Sequence, residues 1–148
     1  MHKTLIPTLF AFAVSAMPLA GQDEAKPKPQ PHPIKVEMKK FDAALDDVSD
    51  YLEKPGDKLP MQHVAAAQAA LQACKVHAPR TTEQQPKERR EEFVRNYRLA
   101  INKLLRAALD LEDALLQKDY EAAEKAVDDM LAQRRQGHRT YKGRRRRR

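Results

Sequence analysis

Residues 93–115 read FVRNYRLAINKLLRAALDLEDAL, and this stretch decides the fold class. Its apolar side chains recur at steps of three and four residues, which is the repeat of one face of an α-helix. The members of this stripe are Phe93, Tyr97, Ile101, Leu104, Ala108, Leu111 and Leu115. The stripe spans about six helical turns. A helix with one apolar face has to bury it, so we expect partner helices elsewhere in the chain.

Three further segments carry the same helical periodicity. The first begins near Ile34 and ends at the Pro55-Gly56 pair. The second begins near Pro60, which suits a first-turn position, and stops before Pro79. The last follows Asp119, a residue type that favours the N-cap position. The sequence therefore predicts four helices.

The connections between these segments predict how the helices are arranged. The links near Pro55 and Lys118 are short, and short links join antiparallel neighbours. Residues 80–86 form a longer polar loop before the third helix. No stretch shows the alternation typical of strands. We expect an all-α fold, an antiparallel up-down-up-down four-helix bundle over residues 34–142.

The N-terminal segment resembles an export signal. Residues 1–20 have a weakly basic start followed by an apolar run that ends in small residues, and we expect cleavage between residues 16 and 25. The apolar run is shorter than the roughly 20 residues that a membrane span requires. Residues 21–33 form a proline-rich linker, with a proline at every second position from 27 to 33. We therefore expect a soluble, exported protein.

The charge of the chain is concentrated at its C-terminus. The net charge is +7, from 28 Lys and Arg against 21 Asp and Glu. Arg139, Lys142 and the run Arg144–Arg148 account for the whole excess, and residues 143–148 form a poly-Arg tail. Such a tail is either a solvated end or an electrostatic contact with an anionic envelope surface. Export and the lack of interleaved aromatic residues disfavour a nucleic-acid partner.

Several classes of function are excluded by missing residue patterns. Cys74 is the only cysteine, so no intramolecular disulfide forms. A di-iron carboxylate bundle needs Glu-x-x-His pairs, and no glutamate lies three residues before a histidine. The chain also lacks a Ser-His-Asp pattern, a phosphate-binding glycine loop and paired catalytic carboxylates. We expect a protein that is not an enzyme.

One end of the predicted bundle collects the chemically distinctive residues. Met38 near the start of the first helix and His138 near the end of the fourth should lie at similar depth and face inward. A thioether opposite an imidazole suits haem iron better than zinc or calcium. Phe93 and Tyr97 are one turn apart and could pack on a porphyrin. The predicted apolar wall is completed by Phe41, Leu45 and Leu71.

These residues resemble the soluble cytochrome b562 family of periplasmic four-helix haem proteins. The best-matched parts are residues 115–123 (LLQKDYEAA) and 134–142 (RRQGHRTYK), which are similar to the family's last helix and its histidine segment. Met38 stands where the family places its methionine ligand, and residues 93–97 (FVRNY) are similar to the aromatic pair that opens its third helix. The resemblance covers about residues 34–142.

The resemblance implies that Met38 and His138 are axial ligands of one non-covalent haem b. It also implies that Arg134 lies beside the macrocycle or its propionates, and that the protein transfers single electrons to an unidentified redox partner protein. Covalent haem attachment would need two cysteines just before the histidine, but Arg134 and Gly137 occupy those places.

A rival interpretation keeps the bundle and omits the haem. Lys39 and Lys40 give Met38 a charged setting, and a shift of one residue in the register of the first helix would turn Met38 away from the interior. The protein would then be a haem-free interaction or stress module of the cell envelope. Methionine in an apolar stripe is usually core, and histidine near a helix C-terminus is favoured by the helix dipole.

Overall fold

The computed structural model describes residues 30–142, and this part of the chain is all-α with four α-helices. They are α1 (Pro33–Glu53), α2 (Met61–Lys75), α3 (Arg90–Leu116) and α4 (Tyr120–Tyr141). The predicted signal segment, most of the linker and the poly-Arg tail lie outside these residues. Within residues 30–142, no helix has both the length and the apolar character that a membrane span needs.

Proline and aspartate define the helix ends in this chain. Pro33 occupies the first turn of α1, where its missing N–H costs no hydrogen bond. Pro60 immediately precedes α2. Asp119 is the N-cap of α4 and accepts a hydrogen bond from the amide of Ala122 at 3.0 Å, as predicted. The preceding residue, Lys118, has a φ of 59°, so the turn between α3 and α4 passes through the left-handed region.

The connection between α2 and α3 is more regular than the polar loop expected for residues 80–86. It contains two short 3₁₀ helices, Arg80–Gln84 and Lys87–Arg89, preceded by Pro79 and Pro86. Thr81 is buried, and its hydroxyl donates a hydrogen bond to the carbonyl oxygen of Tyr141 at 2.9 Å. This contact ties the connection to the end of α4.

The apolar stripes of all four helices meet in one core. The helices pack chiefly in sequential pairs, α1 with α2, α2 with α3 and α3 with α4, and α4 also meets α1. Gln68 of α2 donates hydrogen bonds to Glu112 Oε2 at 2.6 Å and to the carbonyl of Ala108 at 3.3 Å, which fixes the register of α2 against α3. The largest fully buried side chains are Phe41, Leu45, Val48, Val64, Leu71, Cys74, Leu111, Leu115 and Met130.

Candidate functional site

An aromatic cluster forms where the start of α3 meets the end of α4. The ring centroids of Phe93 and Tyr141 are 5.2 Å apart, and those of Tyr97 and Tyr141 are 5.3 Å apart, both in edge-to-face arrangements. Phe93 is half-buried and Tyr97 is buried. Tyr141 was not predicted as a site residue. The two predicted aromatic residues therefore lie together, with a third ring against both.

The aromatic cluster is joined to the end of α2 through Cys74. The Tyr97 hydroxyl donates a hydrogen bond to the carbonyl oxygen of Cys74 at 3.1 Å. Burial, together with the negative charge of Glu37, raises the pKa of the Cys74 thiol to about 11. Burial also raises the pKa of the Tyr97 phenol. Both groups are protonated at neutral pH, so the thiol is a core residue and not a nucleophile.

Asp42 and Arg134 form a partly buried ion pair between α1 and α4. Arg134 Nη2 donates a hydrogen bond to Asp42 Oδ2 at 2.6 Å. Arg134 Nε lies 2.5 Å from Asp42 Oδ1, which completes the ion pair. About a quarter to a third of each side chain is exposed (27% and 30%). The guanidinium that the resemblance assigns to a haem is thus oriented by a carboxylate.

His138 lies one turn beyond Arg134 on α4 and is half-buried. Burial lowers the pKa of its imidazole, and the positive charges of Lys142 and Arg134 lower it further. Asp42 of α1 acts in the opposite direction, so its carboxylate is close enough to influence the ring. The imidazole is therefore predominantly neutral near pH 7, and a neutral imidazole nitrogen can bind a metal.

Met38 lies one turn before Asp42 on α1. Its side chain is half-buried and packs against the core. Its stripe neighbours Phe41 and Leu45 are almost fully buried, as is Leu71 of α2. The three predicted wall residues are therefore core residues of the four-helix fold.

Two histidines on or just beyond α2, His63 and His77, do not assemble into a metal site. His63, near the start of α2, pairs with Asp47 of α1, and its Nδ1 lies 2.8 Å from Asp47 Oδ2. His77 lies just beyond the end of α2. Across residues 30–142, no three side chains among His, Cys, Asp and Glu come together as a metal-binding group. Haem iron can be bound by a thioether and an imidazole, and methionine is not one of these four residue types.

Sequence reasoning missed Asp42 and Tyr141 as members of this end of the molecule. Arg134 interrupts the apolar stripe of α4, and a half-buried guanidinium requires a counter-ion. That requirement could have pointed to Asp42, which lies on α1 one turn after Met38. Comparison of the chain with protein-family models, with curated proteins and with solved structures finds no match. The resemblance to the cytochrome b562 family therefore depends on the quoted residues alone.

Proposed function

We propose that this protein is a periplasmic electron-transfer protein that holds one non-covalent haem b between Met38 and His138. The proposed scaffold is an antiparallel up-down-up-down four-helix bundle. It is not proposed to be an enzyme, because the haem would pass electrons to a partner protein without transforming a substrate.

Contacts at both ends of the helices support the antiparallel arrangement. Asp42 near the start of α1 pairs with Arg134 near the end of α4. At the other ends of these two helices, the rings of Tyr51 and Tyr120 have centroids 6.4 Å apart. Tyr97 near the start of α3 binds the end of α2. Each of these contacts joins the start of one helix to the end of another, as an up-down-up-down bundle requires.

The observation that carries the haem proposal is the register of α1 against α4. The paired residues Asp42 and Arg134 mark one level of the two helices. One turn toward the same end of the molecule from this level, α1 carries Met38 and α4 carries His138. If the helices are antiparallel, the thioether and the imidazole therefore stand opposite each other at one level.

The residues at this level suit the proposed cofactor. A haem bound by a thioether and an imidazole supplies one-electron chemistry at a raised reduction potential. Burial and the flanking cations keep His138 neutral, which leaves a ring nitrogen available as a ligand. Asp42 orients Arg134, and Phe41, about one turn from Met38 on α1, is fully buried in the core. The donor set and its electrostatic setting thus fit a haem.

A haemin titration of the mature protein tests this proposal. We expect sharp absorption bands after reduction with dithionite, and we expect Met38→Ala and His138→Ala each to abolish them. Met61→Ala and His63→Ala are matched controls, since both residues are half-buried on α2, away from the aromatic cluster. These controls should retain the bands, and circular dichroism should show that all four variants are folded. An unaltered haemin spectrum, or bands that persist in Met38→Ala, would refute the haem proposal.

A second candidate function is a haem-free interaction or stress module of the cell envelope. The observation that favours it is that several side chains at this end of the protein already contact one another. Arg134 is paired with Asp42, Thr81 binds the carbonyl of Tyr141, and the aromatic rings pack on one another. If the protein is such a module, added haemin should show only the spectrum of unbound haemin. The melting temperature of the protein should stay the same. The poly-Arg tail would then supply contact with an anionic envelope surface.

A further inference from the structure

Charged residues are unevenly distributed between the two ends of the helices. The end that contains the Asp42–Arg134 pair and the aromatic cluster is rich in lysine and arginine. We call it the basic end, and its basic residues include Lys35, Lys39, Lys40, Arg80, Lys87, Arg89, Arg90, Arg95, Arg98, Arg135, Arg139 and Lys142. The other end is acidic, through Asp46, Asp47, Asp50, Glu53, Asp110, Asp113, Glu121, Glu124, Asp128 and Asp129. Such a separation attracts anions to one end of the molecule.

An open cleft lies at the basic end, between the first 3₁₀ helix and the outer face of α3. Its volume is about 460 Å³, which is within the usual range of about 300–1,000 Å³ for small-molecule sites. Its lining consists of Thr82, Arg90, Glu91, Val94, Arg95, Arg98 and Leu99. The cleft therefore combines cationic side chains with two apolar ones.

The positive charge in the cleft exceeds its negative charge. Arg90 donates hydrogen bonds to the carbonyl oxygens of Gln85 at 3.1 Å and Glu83 at 3.0 Å, so its position is fixed while its charge remains uncompensated by a carboxylate. Arg95 makes only a long, exposed contact of 3.9 Å with Glu92. Arg98 makes no ion pair with any residue in the range 30–142.

Thr82 supplies a hydroxyl that lacks a partner. Its Oγ1 atom is shielded from solvent and has no hydrogen-bond partner within the part of the chain that the structure describes. A buried hydroxyl without a partner is unfavourable, so such groups usually serve a ligand or a water molecule. In a cleft that Arg90 and Arg98 also line, this donor is suited to an oxyanion.

We propose that this cleft binds a phosphate ester that carries an apolar substituent. Arg95, Arg98 and the Thr82 hydroxyl hold the phosphate oxygens, because guanidinium groups match the geometry of phosphate. Val94 and Leu99 contact the apolar substituent, and Leu99 is 52% exposed without a ligand. The ester is either a free soluble molecule or a lipid within a membrane.

Two titrations followed by ¹⁵N–¹H NMR separate the parts of this proposal. The mature protein is titrated with inorganic phosphate, and separately with dihexanoyl phosphatidic acid below its micelle concentration. We expect saturable shifts of the Thr82, Val94 and Leu99 amides with both probes, and tighter binding of the ester. Arg98→Gln should weaken the binding of both probes about tenfold, because a charge-assisted hydrogen bond is lost. Leu99→Asn should weaken the binding of the ester and leave the binding of inorganic phosphate unchanged.

Matched controls exist on the same helix. Arg106→Gln removes an equal charge, and Leu109→Asn removes a similarly exposed leucine (48%), both outside the cleft. Each should change the affinity by less than about twofold, as expected for exposed groups without contact to the ligand. Equal losses in these controls would mean diffuse attraction to the basic end and would overturn the proposal, as would shifts that do not saturate.

The remaining outcomes identify the substituent and the source of the ester. Equal affinity for phosphate and for the ester would overturn the apolar part of the proposal. Sedimentation with phosphatidylglycerol vesicles that Arg98→Gln abolishes and Arg106→Gln preserves would assign the ester to a membrane. Binding of the short-chain ester without vesicle binding would assign it to a soluble molecule. Met38→Ala and His138→Ala should bind both probes normally, so the test is independent of the haem proposal.

Discussion

Arg134 interrupts the apolar stripe of α4, and its pairing with Asp42 makes this position tolerable. We expect a double-mutant cycle with Asp42→Ala and Arg134→Ala to give a coupling energy of about 1–2 kcal/mol, because both groups are largely shielded from water. Urea unfolding measures this quantity. The exposed pair Lys125–Asp129 at 3.0 Å is the control, and its coupling should be below about 0.5 kcal/mol. Equal coupling energies in the two cycles would contradict the expectation that burial strengthens the Asp42–Arg134 pair.

Cys74 gives a second prediction for a single residue. Because burial raises its pKa to about 11, almost no thiolate is present at pH about 8. The native protein should therefore react with Ellman's reagent far more slowly than the same protein in concentrated urea. A native rate within about tenfold of the unfolded rate would show that the thiol is accessible and ionised, contrary to this assignment.

The same residues show which contacts a sequence can predict. The buried positions of Phe41, Leu45 and Leu71 follow from helical periodicity, because each lies on the stripe of its own helix. The contact of Asp42 with Arg134 joins residues 92 positions apart. It depends on the rotation of two helices about their axes, and periodicity gives that rotation only approximately. Tyr141 was missed for the same reason.

At the scale of elements, the expectation of an all-α fold with four helices is confirmed over residues 30–142. The helix ends were predictable because Pro33, Pro60 and Asp119 act locally, through a missing N–H or a capping oxygen. The connection between α2 and α3 was less predictable. Its 3₁₀ helices are fixed in part by the hydrogen bond from Thr81 to the distant Tyr141.

The turn between α3 and α4 allows two predictions of opposite sign at adjacent residues. Asp119→Ala removes the acceptor for the amide of Ala122 and should lower the free energy of unfolding by about 1 kcal/mol. Lys118→Gly relieves a positive φ and should leave stability unchanged or raise it by up to about 1 kcal/mol. Urea unfolding of both variants is the measurement. Destabilisation by Lys118→Gly as large as that by Asp119→Ala would contradict the left-handed turn.

At the scale of the whole molecule, the separation of charge links the two proposals. The basic end contains the Asp42–Arg134 pair, which the haem proposal places beside Met38 and His138, and the arginine-lined cleft. Burial is the main cause that lowers the pKa of His138, and a positive field adds to this effect. The same field attracts phosphate to the cleft. The packing of the four helices brings these groups together, although most of the charges lie outside the apolar stripes. Helix packing thus determines the electrostatics of the molecule.

The last prediction concerns the dependence of stability on pH. The folded-state pKa of His138 is lowered by burial first and by Lys142 and Arg134 next, whereas the unfolded chain has the ordinary pKa of about 6.5. Between these two values the unfolded state binds more protons, so the free energy of unfolding falls as the pH decreases through this window. We expect the urea midpoint to drop as the pH falls from about 7.5 through the unfolded-state pKa of about 6.5, and the drop to be smaller in His138→Gln. Added salt should reverse only the part of this drop that the charges of Lys142 and Arg134 cause, because screening does not reverse burial. An unchanged drop in His138→Gln would show that other groups control the transition.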